Sequence, residues 1–322
     1  MKQSDKATLI GLMAIILWST IVGLIRSVSD YLGPTGGAAL IYTLASVFLL
    51  LSAGWVRLRE FPRLYLFWGS ILFVCYELCL ALSIAYAHNS RQAIEVGMVN
   101  YLWPTFTIVA AILFKQQKAN WLIVPGLFLS MLGISWILGG EQGLNPNSVW
   151  LNVQDNPLSY GLALSGALIW AGYSTMTARI AQGKNGITLF FMLTAATLWM
   201  NHLFQGAPSL TVSTPALVYL LLAASAMGFG YAAWNVGILH GNITLLAGAS
   251  YFIPVFSAAL SSLLLRTPLA TSFWQGSAMV CSGALLCWLA IRLRQPKVLK
   301  NAQPAEKSRC ISADAAGPPG QQ

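Results

Sequence analysis

The residues of this chain that could do chemistry are few and isolated. Glu77 lies near the centre of a long apolar run, within VCYELCL. An ionised carboxylate at such a place costs several kcal/mol in a bilayer, so it must face protein or water, take a partner, or stay protonated. It could carry a proton or contact a substrate amine; the plainer reading is a structural hydrogen bond to a neighbouring helix. Glu95 stands near the start of the next run with Arg91 one turn away, placed to reach the membrane interface. That run reads EVGMVNYLWPTFT, and at helical spacing Asn100, Trp103, Pro104 and Thr107 share one arc with Tyr101 at its edge. Pro104 cannot donate a backbone hydrogen bond, which frees a carbonyl near Asn100. Polar and aromatic groups beside a kink suit a binding site for an amphipathic solute.

Similar faces recur elsewhere. Gly11, Ala14 and Trp18 align in the first apolar run, and Tyr76, Cys79 and Ser83 in the third. Gly166, Trp170, Tyr173 and Thr177 form a stripe, and Gly228, Tyr231, Trp234 and Asn235 a cluster. Trp18, Tyr76, Trp103 and Trp170 fall nearer mid-run than the interface where such rings usually sit. Taken singly, each is ordinary packing. Together they predict an aromatic-walled cavity, suited to aromatic rings by stacking and to cations by attraction to the ring faces.

Catalytic arrangements are missing. No nucleophile stands by a base, and His88, His202 and His240 lie at run ends. No Gly-rich phosphate loop carries a Lys, and no Cys or His spacing fits a metal. The chain is therefore read as no enzyme, with no cofactor. Cys75, Cys79, Cys281 and Cys287 lie inside apolar runs as small filler, and Cys310 in the tail. The net charge of +9 does not point to nucleic acid, because its basic residues sit in short links between runs.

The elements that position these residues follow from composition. Only 8% of the 322 residues are charged and 57% are hydrophobic, in runs of a length that crosses a bilayer as helix. Ten spans are predicted, at 7–27, 34–54, 64–88, 92–114, 120–139, 158–181, 187–206, 215–239, 243–265 and 271–292. Ten spans put both termini on one side. If that side is the cytoplasm, fifteen of the 18 basic residues face it; only Arg26, Arg91 and Arg266 do not. That asymmetry is the positive-inside pattern. The first run follows Lys2 and Lys6 with no fitting cleavage site and reads as a retained span. The link 140–157 carries Glu141 and Asp155 and no basic residue, as an outer junction between halves.

The halves are related. A shift of 150 residues sets Tyr101 on Tyr251, Pro104 on Pro254 and Phe106 on Phe256. Further on it sets Leu113 on Leu263, Gly126 on Gly276 and Gly133 on Gly283. A shift of 152 sets Trp18 on Trp170. With five spans in each copy the second copy is inverted, a signature of secondary transporters with a midplane site between repeats.

The strings KATLIGLMAIILWSTIVGLIR (6–26), AIEVGMVNYLWP (93–104), AAWNVGILHGN (232–242) and SYFIPVFS (250–257) closely resemble bacterial aromatic amino-acid exporters. These belong to the EamA-like branch of the drug/metabolite transporter (DMT) superfamily. The resemblance covers residues 6 to 292. It implies an all-α integral membrane fold of ten transmembrane helices in two inverted five-helix repeats, 1–139 and 158–292, joined by the outer linker 140–157. Both termini would be cytoplasmic and the cavity would lie among the first, third, fourth, sixth, eighth and ninth helices. It implies secondary transport of aromatic and other amino acids out across the bacterial inner membrane. The alternative is multidrug efflux of cationic toxicants such as methyl viologen. Expected partners are phenylalanine, tyrosine, tryptophan and membrane lipid, with the protein a monomer and no nucleic acid. Trp18, Tyr76, Tyr101, Trp103 and Trp170 are the expected substrate-binding residues on the family's cavity helices. Glu77, Asn100 and Asn235 join them by polarity alone, Pro104 and Pro254 are the expected hinges, and 293–322 is expected to be a disordered basic tail.

Overall fold

Apolar runs of bilayer length become helices because each backbone group must then find its partner within its own segment. The computed structural model describes residues 3–54, 57–114 and 120–293, apart from the side chains of Ile243, Thr244 and Ala247. Among the described residues there are helices and turns but no strand. The expectations for Lys2, Lys115, Lys118, Cys310 and the tail beyond Leu293 lie outside the described residues.

The first half holds α1 (Gln3–Ser19), α2 (Ile21–Leu32), α3 (Pro34–Ala53), α4 (Arg63–Ala85), α5 (Ser90–Asn100), α6 (Trp103–Leu113) and α7 (Ile123–Leu138). A short helix, α8 (Pro146–Asp155), follows in the link. The second half holds α9 (Pro157–Ile180), α10 (Ile187–Phe204), α11 (Thr214–His240), α12 (Ile243–Ser250), α13 (Ile253–Leu264) and α14 (Thr271–Arg292). By length and composition, six helices among the described residues are apolar enough to cross a membrane, counting Ser90–Leu113 as one, and seven if the α1–α2 pair is a single span.

Three of the predicted spans are broken. The first bends by 41° between α1 and α2. There the Thr20 hydroxyl and the Thr20 amide both donate to Leu17 O, at 2.7 and 3.1 Å, in competition with the regular ladder. The fourth breaks at Tyr101–Leu102 and the ninth at Tyr251–Phe252, each just before the proline that opens the next helix. Around the first of these, Tyr101 N donates to Met98 O and Leu102 N to Val99 O, the tighter turn that suits a chain about to meet Pro104.

The outer faces carry large apolar side chains such as Leu51, Phe67, Phe128 and Leu168, all more than half exposed. Polar side chains lie inside instead, satisfied by their own helix: Ser19 donates to Ile15 O, Thr194 to Phe190 O and Ser277 to Phe273 O. The buried apolar residues form two clusters, one centred on α2, α3, α4, α10 and α11, the other on α5, α7, α9, α13 and α14. Tyr101 packs against both.

Close helix crossings depend on glycine. A Cβ on Gly126 would stand 2.9 Å from Gly283 O, and one on Gly133 would stand 2.7 Å from Gly276 O. α7 and α14 therefore cross antiparallel with backbones nearly touching, through the same four glycines that the 150-residue shift aligns.

The link 140–157 contains α8, a helix that the apolar pattern of the sequence does not announce. Asn145 caps it by accepting from Asn147 N and Ser148 N, and Asn156 caps α9 by accepting from Ser159 N. A polar network straps α8 to α5 and α9. Glu95 is buried within this network. It accepts from Arg91 Nε at 3.1 Å, from Asn152 Nδ2 at 3.0 Å and from Tyr160 Oη at 3.0 Å. Asp155 accepts from Gln92 Nε2 at 3.0 Å.

Candidate functional site

A helix presents one face every third or fourth residue, so side chains from several helices converge only where their faces point to a common axis. They do so around an interior cavity of about 240 Å³. Of the expected binding residues, Trp18, Tyr76, Glu77, Asn100, Tyr101, Trp103 and Trp170 line it.

Its walls are two aromatic pairs of matching build. Trp18 on α1 meets Tyr231 on α11 edge to face, with ring centroids 5.0 Å apart, and Trp234 at 5.3 Å. Trp170 on α9 meets Tyr76 on α4 at 4.4 Å, Tyr173 at 5.1 Å and Trp103 at 6.0 Å. Each pair joins the two halves of the chain: a Trp from the first long segment of one half rests on a Tyr from the third span of the other. The close fit again requires glycine. A Cβ on Gly230 would lie 2.7 Å from Trp18 Nε1, and a Cβ on Gly166 would lie 3.1 Å from Asn100 Oδ1. Trp18 Nε1 and Asn100 Oδ1 are themselves buried and make no hydrogen bond to any described residue.

Glu77 is fully buried on α4 at the cavity wall. Tyr42 Oη on α3 donates to its Oε2 at 2.6 Å and Tyr231 Oη on α11 donates to its Oε1 at 2.9 Å. No Lys, Arg or His among the described residues pairs with it; the ion pairs they make lie elsewhere. Pro104 and Pro254 are buried in the first turns of α6 and α13, immediately past the two breaks.

Asn235 does not reach the cavity. It lines a separate pocket of about 410 Å³ with Arg57, Glu60, Lys184, Asn185 and Thr188. It shares its helix face with Tyr231 but stands one turn farther toward the end of α11, about 6 Å along the axis. In that pocket Lys184 Nζ lies 3.2 Å from Glu60 Oε2, and this hydrogen bond holds the Glu60 carboxyl below the usual carboxylate range.

Tyr231, Trp234, Ser174 and Ser250 line the cavity without having been selected as binding residues. Signals for them existed: Tyr231 and Trp234 lie in the cluster noted on the eighth span, Ser174 is one turn from Trp170, and Ser250 is Asn100 shifted by 150. No signal pointed to Tyr42.

Known proteins resemble this chain over most of its length. The profile of the EamA-like transporter family matches residues 5–139 and again residues 157–289. The aromatic amino acid exporter YddG of Salmonella typhimurium (strain 14028s / SGSC 2262) is 59% identical over 291 residues, covering 90% of this chain and 99% of that protein. YddG of Escherichia coli (strain K12) is 58% identical over 288 residues, covering 89% of this chain and 98% of that protein. A solved crystal structure at 25% identity superposes with a TM-score of 0.64 over 89% of this chain and 99% of its own.

Proposed function

We propose that this chain, which belongs to the EamA-like transporter family, exports aromatic amino acids across the bacterial inner membrane as a secondary transporter working by alternating access. It is a multi-pass membrane transporter and not an enzyme. The observation that carries the substrate reading is the aromatic cavity, whose two Trp–Tyr pairs each bridge the halves that must move against one another. Its dimensions and ring walls suit one aromatic side chain, with Glu77 and Asn100 at hand for the polar end. The two close relatives are named as aromatic amino acid exporters, and the multidrug alternative is not favoured.

In this reading the chain makes ten spans as two inverted repeats, 1–139 and 158–292, around the linker 140–157, with both termini in the cytoplasm. The crossing of α7 and α14 supports the inversion. The 150-residue shift carries the Gly126–Gly283 contact onto Gly276–Gly133, which is the other contact of the same crossing. The paired breaks at Tyr101–Leu102 and Tyr251–Phe252 support it too, and Pro104 and Pro254 would let those spans bend as gates. The lopsided basic residues support the orientation.

Efflux of labelled phenylalanine from proteoliposomes tests the assignment. Each aromatic contact is worth about 0.5–1.5 kcal/mol, or roughly 2- to 13-fold in affinity. Trp170→Ala, which removes four ring contacts, and Trp103→Ala, which removes the Trp103–Trp170 contact, are expected to abolish most flux while inserting normally. Near wild-type flux in both variants overturns the reading.

A further inference from the structure

The two tyrosines that hold Glu77 are not equivalent. Tyr42 is fully buried, lies outside the cavity lining and packs on Phe191 at 5.4 Å, so its hydroxyl is fixed behind the carboxylate. Tyr231 is partly exposed, lines the cavity itself, and belongs to the other half of the chain. A carboxylate offers about four acceptor positions, and Glu77 uses two for these hydroxyls. It sits at the cavity wall with no cationic side chain among the described residues to balance it. A negative charge so placed is stabilised by a counter-charge that enters the cavity. An amino acid brings one as its ammonium group.

We propose that Glu77 receives the ammonium group of the substrate, that Tyr42 is the positioning residue that orients the carboxylate, and that the ammonium takes the place of Tyr231 Oη on Glu77 Oε1. This rests on the amino-acid export reading above and deepens it. The exchange has a mechanical consequence. Tyr42 and Glu77 lie in the same half, whereas the Tyr231–Glu77 hydrogen bond ties one half to the other. Displacing it removes one polar tie between the halves at the moment the cavity fills, at the wall where the rings of Trp18 and Tyr231 and of Trp170 and Tyr76 also meet across the halves. A substrate without an amine would leave the tie intact.

The test is a titration of the purified full-length protein, followed by the fluorescence of the tryptophans that line the cavity, with two probes. Phenethylamine has the amine and no carboxylate; 3-phenylpropionate has the carboxylate and no amine. Wild type is expected to prefer phenethylamine by about tenfold or more, as befits a hydrogen bond between charged groups. Glu77→Gln is expected to bring the two probes near parity. Tyr42→Phe is expected to weaken phenethylamine severalfold, whereas Tyr231→Phe, which removes only a competing donor, leaves it as tight or tighter. A purely structural role would make the two Phe variants alike. Parity in wild type, full amine preference in Glu77→Gln, or equal weakening by the two Phe variants overturns the proposal. If Glu77→Gln fails to insert, the contrast between the Phe variants decides, since both keep the ring. Absence of phenylalanine flux in wild type overturns the export reading and not the amine preference, which the titration reads by itself.

Discussion

Replacing Gly276 by alanine puts one methyl group where two helix backbones already touch. The new Cβ would lie 2.6 Å from Gly133 O and from Ile137 Cγ1, and 3.2 Å from Ile137 N. Ile137 can turn aside, but a helix carbonyl cannot without breaking its own hydrogen bond. Restoring ordinary contact distance therefore requires α7 and α14 to part by roughly 0.8 Å, a gap that forfeits about a quarter to a half of the dispersion energy of each contact it opens. In lipid that energy is much of what holds two helices together. Overpacking of this kind costs about 1–3 kcal/mol, and about 2 kcal/mol is expected here. Gly133→Ala, which meets Gly276 O at 2.7 Å, should cost the same. The double variant should cost less than the sum, because the second methyl enters a gap the first has opened. Gly172→Ala on α9 is the control, since nothing lies within 4 Å of its Cβ position and it is expected to be neutral or slightly stabilising. Denaturant unfolding of the purified variants in mixed micelles measures all four. If Gly276→Ala unfolds at the same midpoint as Gly172→Ala, the reasoning about this crossing is wrong.

Pro104→Ala and Pro254→Ala each return a backbone donor to a broken span. Each should raise unfolding free energy by up to about 1 kcal/mol, the net worth of one hydrogen bond, while slowing phenylalanine flux; unchanged flux in the double variant removes the hinge role. Glu95→Ala leaves Tyr160 Oη and Asn152 Nδ2 without their shared acceptor at a buried site. Tyr160 Oη keeps Asn152 Oδ1 and Asn152 Nδ2 keeps Leu138 O, so the fold should lose about 1–2 kcal/mol and be cut faster by protease within 140–157; a cutting rate equal to wild type would mean that Glu95 does not hold α8 down.

What could be read from sequence was which helix faces turn inward, and what could not was the edge of each face and the partners across it. Composition gave the helices, and the 3.6-residue period put Trp18, Tyr76, Asn100, Trp103 and Trp170 on inward faces, where they line one cavity. The same period put Asn235 with Tyr231 and Trp234, yet Trp234 lines the cavity while Asn235, the next residue, turns to another pocket. α8 was hidden because it is short and mixed in character: Val149 and Val153 pack on the second apolar cluster, while hydrogen bonds to α5 and α9 supply the rest of its docking. Tyr42 was beyond reach for a different reason. It lies 35 residues from Glu77 on another span, and no local spacing encodes which hydroxyl on one helix will meet a carboxylate on the next.

The cavity is symmetric in its rings and asymmetric in its charge, and the two properties divide the work. The Trp18–Tyr231 and Trp170–Tyr76 pairs set Tyr231 opposite Tyr76 in the repeat, so the position matching Glu77 is Ala232. Two matched aromatic walls offer a flat side chain similar contacts whichever half leans over it, which favours a cavity able to open to either side without losing its grip on the ring. A second carboxylate at position 232 would put another unpaired negative charge inside the same helix bundle, where like charges repel more strongly than in water. With none, an amine would gain nothing by entering. One carboxylate therefore fixes which end of the substrate lies against α4 while leaving the ring free to follow both halves. The same asymmetry makes a variant of direct interest: Ala232→Glu adds the missing symmetric charge, and its cost to folding and flux measures how far this cavity depends on having one carboxylate rather than two.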